Sequence, residues 1–259
     1  MSDKIPIRTL LSVFLVIVAG SLGACHAENE QVAMDSNLSA RGSEMKTGNR
    51  LEIVGHRGAK GIAPENTLAS FQAAVDIGVD MIELDVHLSK DGELVVIHDP
   101  NLERTTDGSG FVGDLTLAQL RELDAAAKFD GDASYGVQRI PTLQEVYDLV
   151  AGQVPINIEI KMRADGSRYL DIERKVVDFL RENDAISNTV ISSFDFSTLQ
   201  QIQELEPHLE CYAIVSTDYF REMGLKGKRA NDVVDDLLVH GFHQVAVNKV
   251  FLSQDLTAL

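Results

Sequence analysis

Between residues 51 and 247 the chain alternates short apolar runs with stretches of helical periodicity, and this alternation limits the fold more than any other feature. Strands joined through helices pair in parallel, because each helix returns the chain to the starting edge of the sheet. The runs 51–55, 81–86, 155–160, 189–192, 210–215 and 244–247 supply six parallel positions. Asn66 is placed to cap a helix whose apolar face is Leu68, Phe71 and Val75 and whose stop is Gly78. A capping box, Thr142 with Glu145, opens a second helix through about residue 150, and helical patterns follow near 170–181, 198–205 and 232–239. Asp91-Gly92 marks a hairpin between 81–86 and 94–97. From about 100 to 140, Gly108, Gly110, Gly113, Gly131 and Gly136 break the pattern, as expected of an insertion lying over the fold.

The N-terminus reads differently. Lys4 and Arg8 precede an apolar run from Leu10 to Val18 and a small-residue stretch ending at Cys25, the layout of an export signal over residues 1–24. The run is too short for a permanent span, which needs about 20 apolar residues. Leu22-Gly-Ala-Cys25 resembles a bacterial lipobox, so Cys25 is expected to be the first mature residue and to carry lipid, placing the protein in the periplasm or cell envelope. Residues 25–50, rich in polar side chains, read as a flexible tether, and 51–259 as the folded domain. With Cys25 lipidated, Cys211 has no disulfide partner and reads as a buried apolar residue. The formal net charge of −17 argues against nucleic-acid binding. An anionic ligand has to be drawn in by a local cluster of cations or a metal.

Two strand segments carry charge where a parallel strand covered on both faces is normally apolar. In Met81-Ile-Glu83-Leu-Asp85-Val86 the period of two puts Glu83 and Asp85 on one face. In Ile156-Asn-Ile-Glu159-Ile-Lys161 it puts Asn157, Glu159 and Lys161 together, opposite three isoleucines. Three carboxylates near strand ends repel one another unless a positive group lies between them. A hard divalent cation, Mg²⁺ or Ca²⁺, meets that need, and so do ordinary ion pairs with Arg57 and Lys161. His56 follows the first strand and His98 the hairpin, both at strand ends where such folds build their active face.

The blocks His56-Arg-Gly-Ala, Pro64-Glu-Asn-Thr67, Glu83-Leu-Asp85-Val, Leu94-Val-Val-Ile-His98-Asp99 and Ile158-Glu-Ile-Lys161 resemble, in order and spacing, the signatures of the glycerophosphodiester phosphodiesterase family. The resemblance implies a (β/α)8 TIM-type barrel with a small insertion after its second strand. It implies hydrolysis of a small glycerophosphodiester to glycerol 3-phosphate and an alcohol. Carried over by motif, Glu83, Asp85 and Glu159 would hold Ca²⁺ or Mg²⁺, His56 and His98 would form the acid–base pair, and Arg57 and Lys161 would bind phosphate oxygens. Glu65 would lie near the metal site, and Phe194 could wall the pocket. His87, which continues the Glu83 and Asp85 face, is expected to support or cover the site.

The blocks expected of the family's seventh and eighth strands are missing, and the chain has no tryptophan. A barrel lacking its last two strands is therefore expected, with unpaired edges that favour aggregation or weak activity. Two other functions remain open at this level: a phospholipase D-like sphingomyelinase, and a catalytically impaired binding protein. The oligomeric state is not written in the sequence.

Overall fold

The computed structural model describes residues 52–150, 152–216, 219, 236–242 and 244–247, together with the backbone of 12–14. The strands are β1 (Ser12–Phe14), β2 (Val54–His56), β3 (Met81–Leu88), β4 (Leu94–Val96), β5 (Ile156–Ile160), β6 (Thr189–Ser193), β7 (Glu210–Val215) and β8 (Gln244–Val247). They form one sheet in the order β1-β8-β7-β6-β5-β3-β2, every neighbouring pair on this path being parallel, with β4 antiparallel to β3. The six expected parallel positions are β2, β3 and β5 to β8. Among the described residues the sheet stays open between β2 and β1, an incomplete barrel of the (β/α)8 kind. The seventh place in the parallel path is taken by β1, which belongs to the segment read as an export signal.

Helices α1 (Leu68–Ile77), α3 (Leu143–Val150), α4 (Ile172–Glu182) and α5 (Phe196–Leu205) follow successive strands, while α2 (Leu117–Leu120) is a single turn in the insertion. The period of two then divides the sheet. Ile82, Leu84 and Val86 of β3 and Ile156, Ile158 and Ile160 of β5 join Phe71, Ala74, Val146, Val176, Leu180, Leu199 and Ile202 in one buried cluster. Burying side chains of this size stabilises by about 1.5–3 kcal/mol each, so the outer layer carries much of the stability. The inner face differs. Met81, Val190 and Tyr212 fill its lower part, and above them it is polar.

The α1 cap departs from expectation. Thr67, in extended conformation, accepts from the Ser70 N–H, whereas Asn66 sits at φ 55° and cannot take the cap geometry. The capping box at Thr142 and Glu145 is present. The insertion has a small core of its own, in which Leu102, Val112, Leu120, Ala125 and Ile140 pack beneath Val95 and Ile97. Of the helical pattern at 232–239, residues 232–235 lie outside the described set, and 236–239 are helical. Among the described residues no helix is long and apolar enough to cross a membrane.

Candidate active site

Strand register builds the site before any side chain is considered. In parallel pairing His56 lies beside Glu83, and Asp85 beside Glu159, so residues up to about 100 positions apart in sequence share one end of the sheet. Glu83, Asp85 and Glu159 are all buried, and one carboxylate oxygen from each lies within 4.8 Å of the others. Lys161, just past β5, places its Nζ 2.8 Å from Asp85 and also bonds Glu159. The Arg57 guanidinium stands 3.4 Å from Asp85 and 2.7 Å from Glu65. The ion-pair alternative is thus partly realised, with two cations facing three carboxylates. The direct contacts of Glu83 are the Arg57 backbone N–H at 2.8 Å and His56 Nε2 at 3.9 Å.

That imbalance sets the electrostatics. Burial, then repulsion from Asp85 and Glu159, pushes the Glu83 carboxyl well above its ordinary range. Burial raises Glu159 to about 7 against the pull of Lys161. Burial opposes ionisation of Asp85, but the charges of Lys161, His98 and Arg57 hold it well below the usual carboxylate range. A cluster of oxygen donors that holds excess protons when left to itself is a suitable seat for a hard divalent cation. The three carboxylates fit such an ion.

Both candidate histidines are shifted toward the uncharged form. Burial, then the Arg57 charge, lowers His56 to about 4. His98 is lowered by burial and by the charge of Lys161, so it lies within the field of the cluster. Its ring is oriented by Asp99, whose Oδ1 lies 2.5 Å from Nδ1. His87 supports it from below. The His98 carbonyl can only accept, so His87 Nε2 donates to it at 3.1 Å, leaving Nδ1 to accept from the Tyr169 hydroxyl at 3.0 Å. His87 therefore holds the backbone of a candidate acid–base residue.

Three contributors escaped the sequence reading. Asn66 donates to Asp85 through Nδ2 at 2.7 Å, so its work is at the carboxylate rather than at the helix end. Arg104 joins Asp99 and Glu65 into one hydrogen-bonded network. The signal for Asn66 was its place in the Pro-Glu-Asn-Thr block; nothing in the periodicity marked Arg104. Glu65 bonds Arg57 and Lys60 as well as Arg104, so it stands behind Arg57. Phe194 is half exposed, with its ring centroid 6.0 Å from Lys161 Nζ. Cys211 is free and buried, and burial pushes its thiol up to about 12, consistent with a packing role.

The loop after β2 is shaped for this purpose. Arg57 and Asn66 both adopt positive φ, 54° and 55°, and the Asn66 N–H donates to the Arg57 carbonyl at 3.1 Å, closing the loop. Backbone held in this region at non-glycine residues is characteristic of functional sites. Gly58 is obligatory, because at φ 79° a Cβ would lie 2.5 Å from Ser70 Oγ.

Fold and site together define a parallel α/β barrel protein with two histidines, a carboxylate cluster and two cations at the C-terminal ends of adjacent strands. The model of the glycerophosphoryl diester phosphodiesterase family matches residues 56–256, and the chain belongs to that family. A glycerophosphodiester phosphodiesterase of Caldanaerobacter subterraneus subsp. tengcongensis is 42% identical over 158 residues, covering 61% of this chain and 64% of the relative's length. Among solved structures, a putative glycerophosphoryl diester phosphodiesterase from Agrobacterium tumefaciens superposes with a TM-score of 0.70 at 25% identity, covering 80% of this chain and 79% of that one. A phosphodiesterase from Oleispira antarctica, solved in complex with the product sn-glycerol-3-phosphate, has a TM-score of 0.59 at 27% identity, covering 76% of this chain and 92% of that one.

Proposed function

We propose that the chain hydrolyses small glycerophosphodiesters to sn-glycerol 3-phosphate and an alcohol, with Ca²⁺ or Mg²⁺ held by Glu83, Asp85 and Glu159. The observation that carries this reading is the buried three-carboxylate cluster flanked by His56 and Lys161 in a member of this family. The bound cation would supply neutralisation of a phosphoryl oxygen. Arg57 and Lys161, already at the cluster, add positive charge where negative charge grows on the phosphoryl oxygens.

The attacking oxygen comes from water or from the neighbouring glycerol hydroxyl, and it gives its proton to one uncharged imidazole. As the new bond to phosphorus forms, the bond to the alcohol oxygen breaks, and the other histidine, which enters the step as its imidazolium after taking a proton from solvent, protonates that oxygen and returns to the neutral form. With the glycerol hydroxyl as attacker, a cyclic phosphate forms first and water then opens it. Asp99 suits His98 to either role, because its carboxylate fixes the ring and stabilises the imidazolium.

The test is release of glycerol 3-phosphate from glycerophosphocholine and glycerophosphoethanolamine with Ca²⁺, with Mg²⁺ and with chelator. Turnover that needs the cation and vanishes in His56→Ala supports the reading. Turnover unaffected by chelator would sink the metal assignment.

The same proposal places the protein in the cell envelope, anchored through lipid at Cys25, on the strength of the signal-like residues 1–24. Cleavage before Cys25 removes β1, so the intact mass of the chain recovered from membranes decides it. A full-length mass would overturn the anchor.

A further inference from the structure

We infer that Arg104, a residue of the insertion, is the positioning residue that locks the acid–base histidine and the phosphate-binding arginine into one frame. The inference rests on the function proposed above. Arg104 makes a two-pronged contact with Glu65, Nη2 to Oε1 at 2.7 Å and Nη1 to Oε2 at 3.1 Å. Its remaining Nε donates to Asp99 Oδ2 at 2.5 Å. The two carboxylates it grips each hold a site residue with their other contacts. Asp99 Oδ1 meets His98 Nδ1, and Glu65 Oε1 accepts from Arg57 Nη1 at 2.7 Å. Arg57 in turn stands 3.4 Å from Asp85. An unbroken series therefore runs from His98 through Asp99, Arg104, Glu65 and Arg57 to the carboxylate cluster.

The chemistry of the linker matters. Only a guanidinium offers a planar fork for one carboxylate and a third N–H for another, whereas an ammonium is a point charge. Without Arg104, Glu65 and Asp99 would stand near each other as partly buried anions, free to turn away from Arg57 and His98. Burial pushes the Glu65 carboxyl up, yet the hydrogen bonds from Arg104 and the charge of Arg57 bring it down to about 2, so it stays ionised and available to both. The arrangement also gives the insertion a function. It contributes no other side chain to this network, and its own small core fixes Leu102, two residues before Arg104. Supporting residues of this kind typically change activity by about 10- to 100-fold when lost.

The experiment uses the full chain in wild-type, Arg104→Gln and Arg104→Lys forms. Two quantities are read: kcat and KM for glycerophosphocholine, and the NMR signal of the His98 Nδ1 proton, assigned by its loss in Asp99→Asn. Arg104→Gln should lower kcat about 10- to 100-fold with little change in KM, and should shift or broaden the His98 signal. Arg104→Lys should resemble Arg104→Gln. Wild-type kcat with an unmoved His98 signal in Arg104→Gln overturns the inference, and so does full recovery in Arg104→Lys, since charge alone would then suffice. If Arg104→Gln does not fold, the double variant Arg104→Gln/Glu65→Gln removes the stranded anion, and the same readings apply to it. If wild-type protein is inactive, the proposed reaction is wrong, while the NMR signal still reports whether Arg104 holds the dyad.

Discussion

The site carboxylates fall into two groups that respond oppositely to acid. Glu83 and Glu159 have raised folded-state values, so their contribution to stability is fully present below the ordinary carboxylate range and is lost as pH rises through the folded values, about 7 for Glu159. In chelator, the thermal midpoint should therefore fall between about pH 5 and pH 8, and Ca²⁺ or Mg²⁺ should restore it while releasing protons measurable by calorimetry. A midpoint that is flat in chelator would refute the excess of negative charge at the cluster. Glu65 runs the other way. Its value is depressed to about 2, so its contribution is present above about pH 4.5 and is lost as pH falls through about 2. Glu65→Gln should flatten the acid limb of wild-type unfolding. Asn66 permits a cleaner separation of backbone from chemistry. Asn66→Gly and Asn66→Ala both lose the bond to Asp85 and should lose activity equally, but alanine also suffers at φ 55° and should be less stable by about 1 kcal/mol.

At the level of elements, β3 and β5 were legible because a period of two is hard to mistake when one face is aliphatic, all isoleucine in β5, and the other carries charge. The same period showed that Glu83 with Asp85, and Asn157 with Glu159 and Lys161, face the same way. Pairing register, which sets Asp85 beside Glu159, is a tertiary fact that no local pattern contains. The α1 cap was misplaced by one residue because Asn and Thr are both good caps, and only the backbone angle separates them. The insertion was seen as a covering element, but not its core, since Leu102, Val112, Leu120, Ala125 and Ile140 follow no helical or strand period. That core has a testable role. Leu120→Ala and Leu180→Ala each remove a fully buried leucine, at a cost of about 2–5 kcal/mol. Leu120→Ala should lower kcat far more at a temperature where both remain folded, because it loosens the segment bearing Arg104. Equal kcat in the two variants would detach the insertion from the chemistry.

For the molecule as a whole, a net charge of −17 surrounds a site whose proposed substrate is a phosphate ester. Long-range repulsion acts on substrates with net negative charge and is screened by salt, the Debye length falling from about 30 Å at 0.01 M to about 8 Å at 0.15 M. Raising ionic strength in that range should increase kcat/KM for glycerophosphoglycerol, which is anionic, and leave the zwitterion glycerophosphocholine nearly unaffected. A parallel response of the two would mean that the local cations, rather than the overall field, govern capture. The parallel path also distributes work unevenly. Every side chain assigned to chemistry comes from β2, β3, β4, β5 and the loops at their ends, while β7 and β8 carry none. Inherited changes should then sort by address: those on the near arc silence a folded protein, whereas those on the far arc deplete it, and the two kinds are distinguishable by how much protein a cell retains.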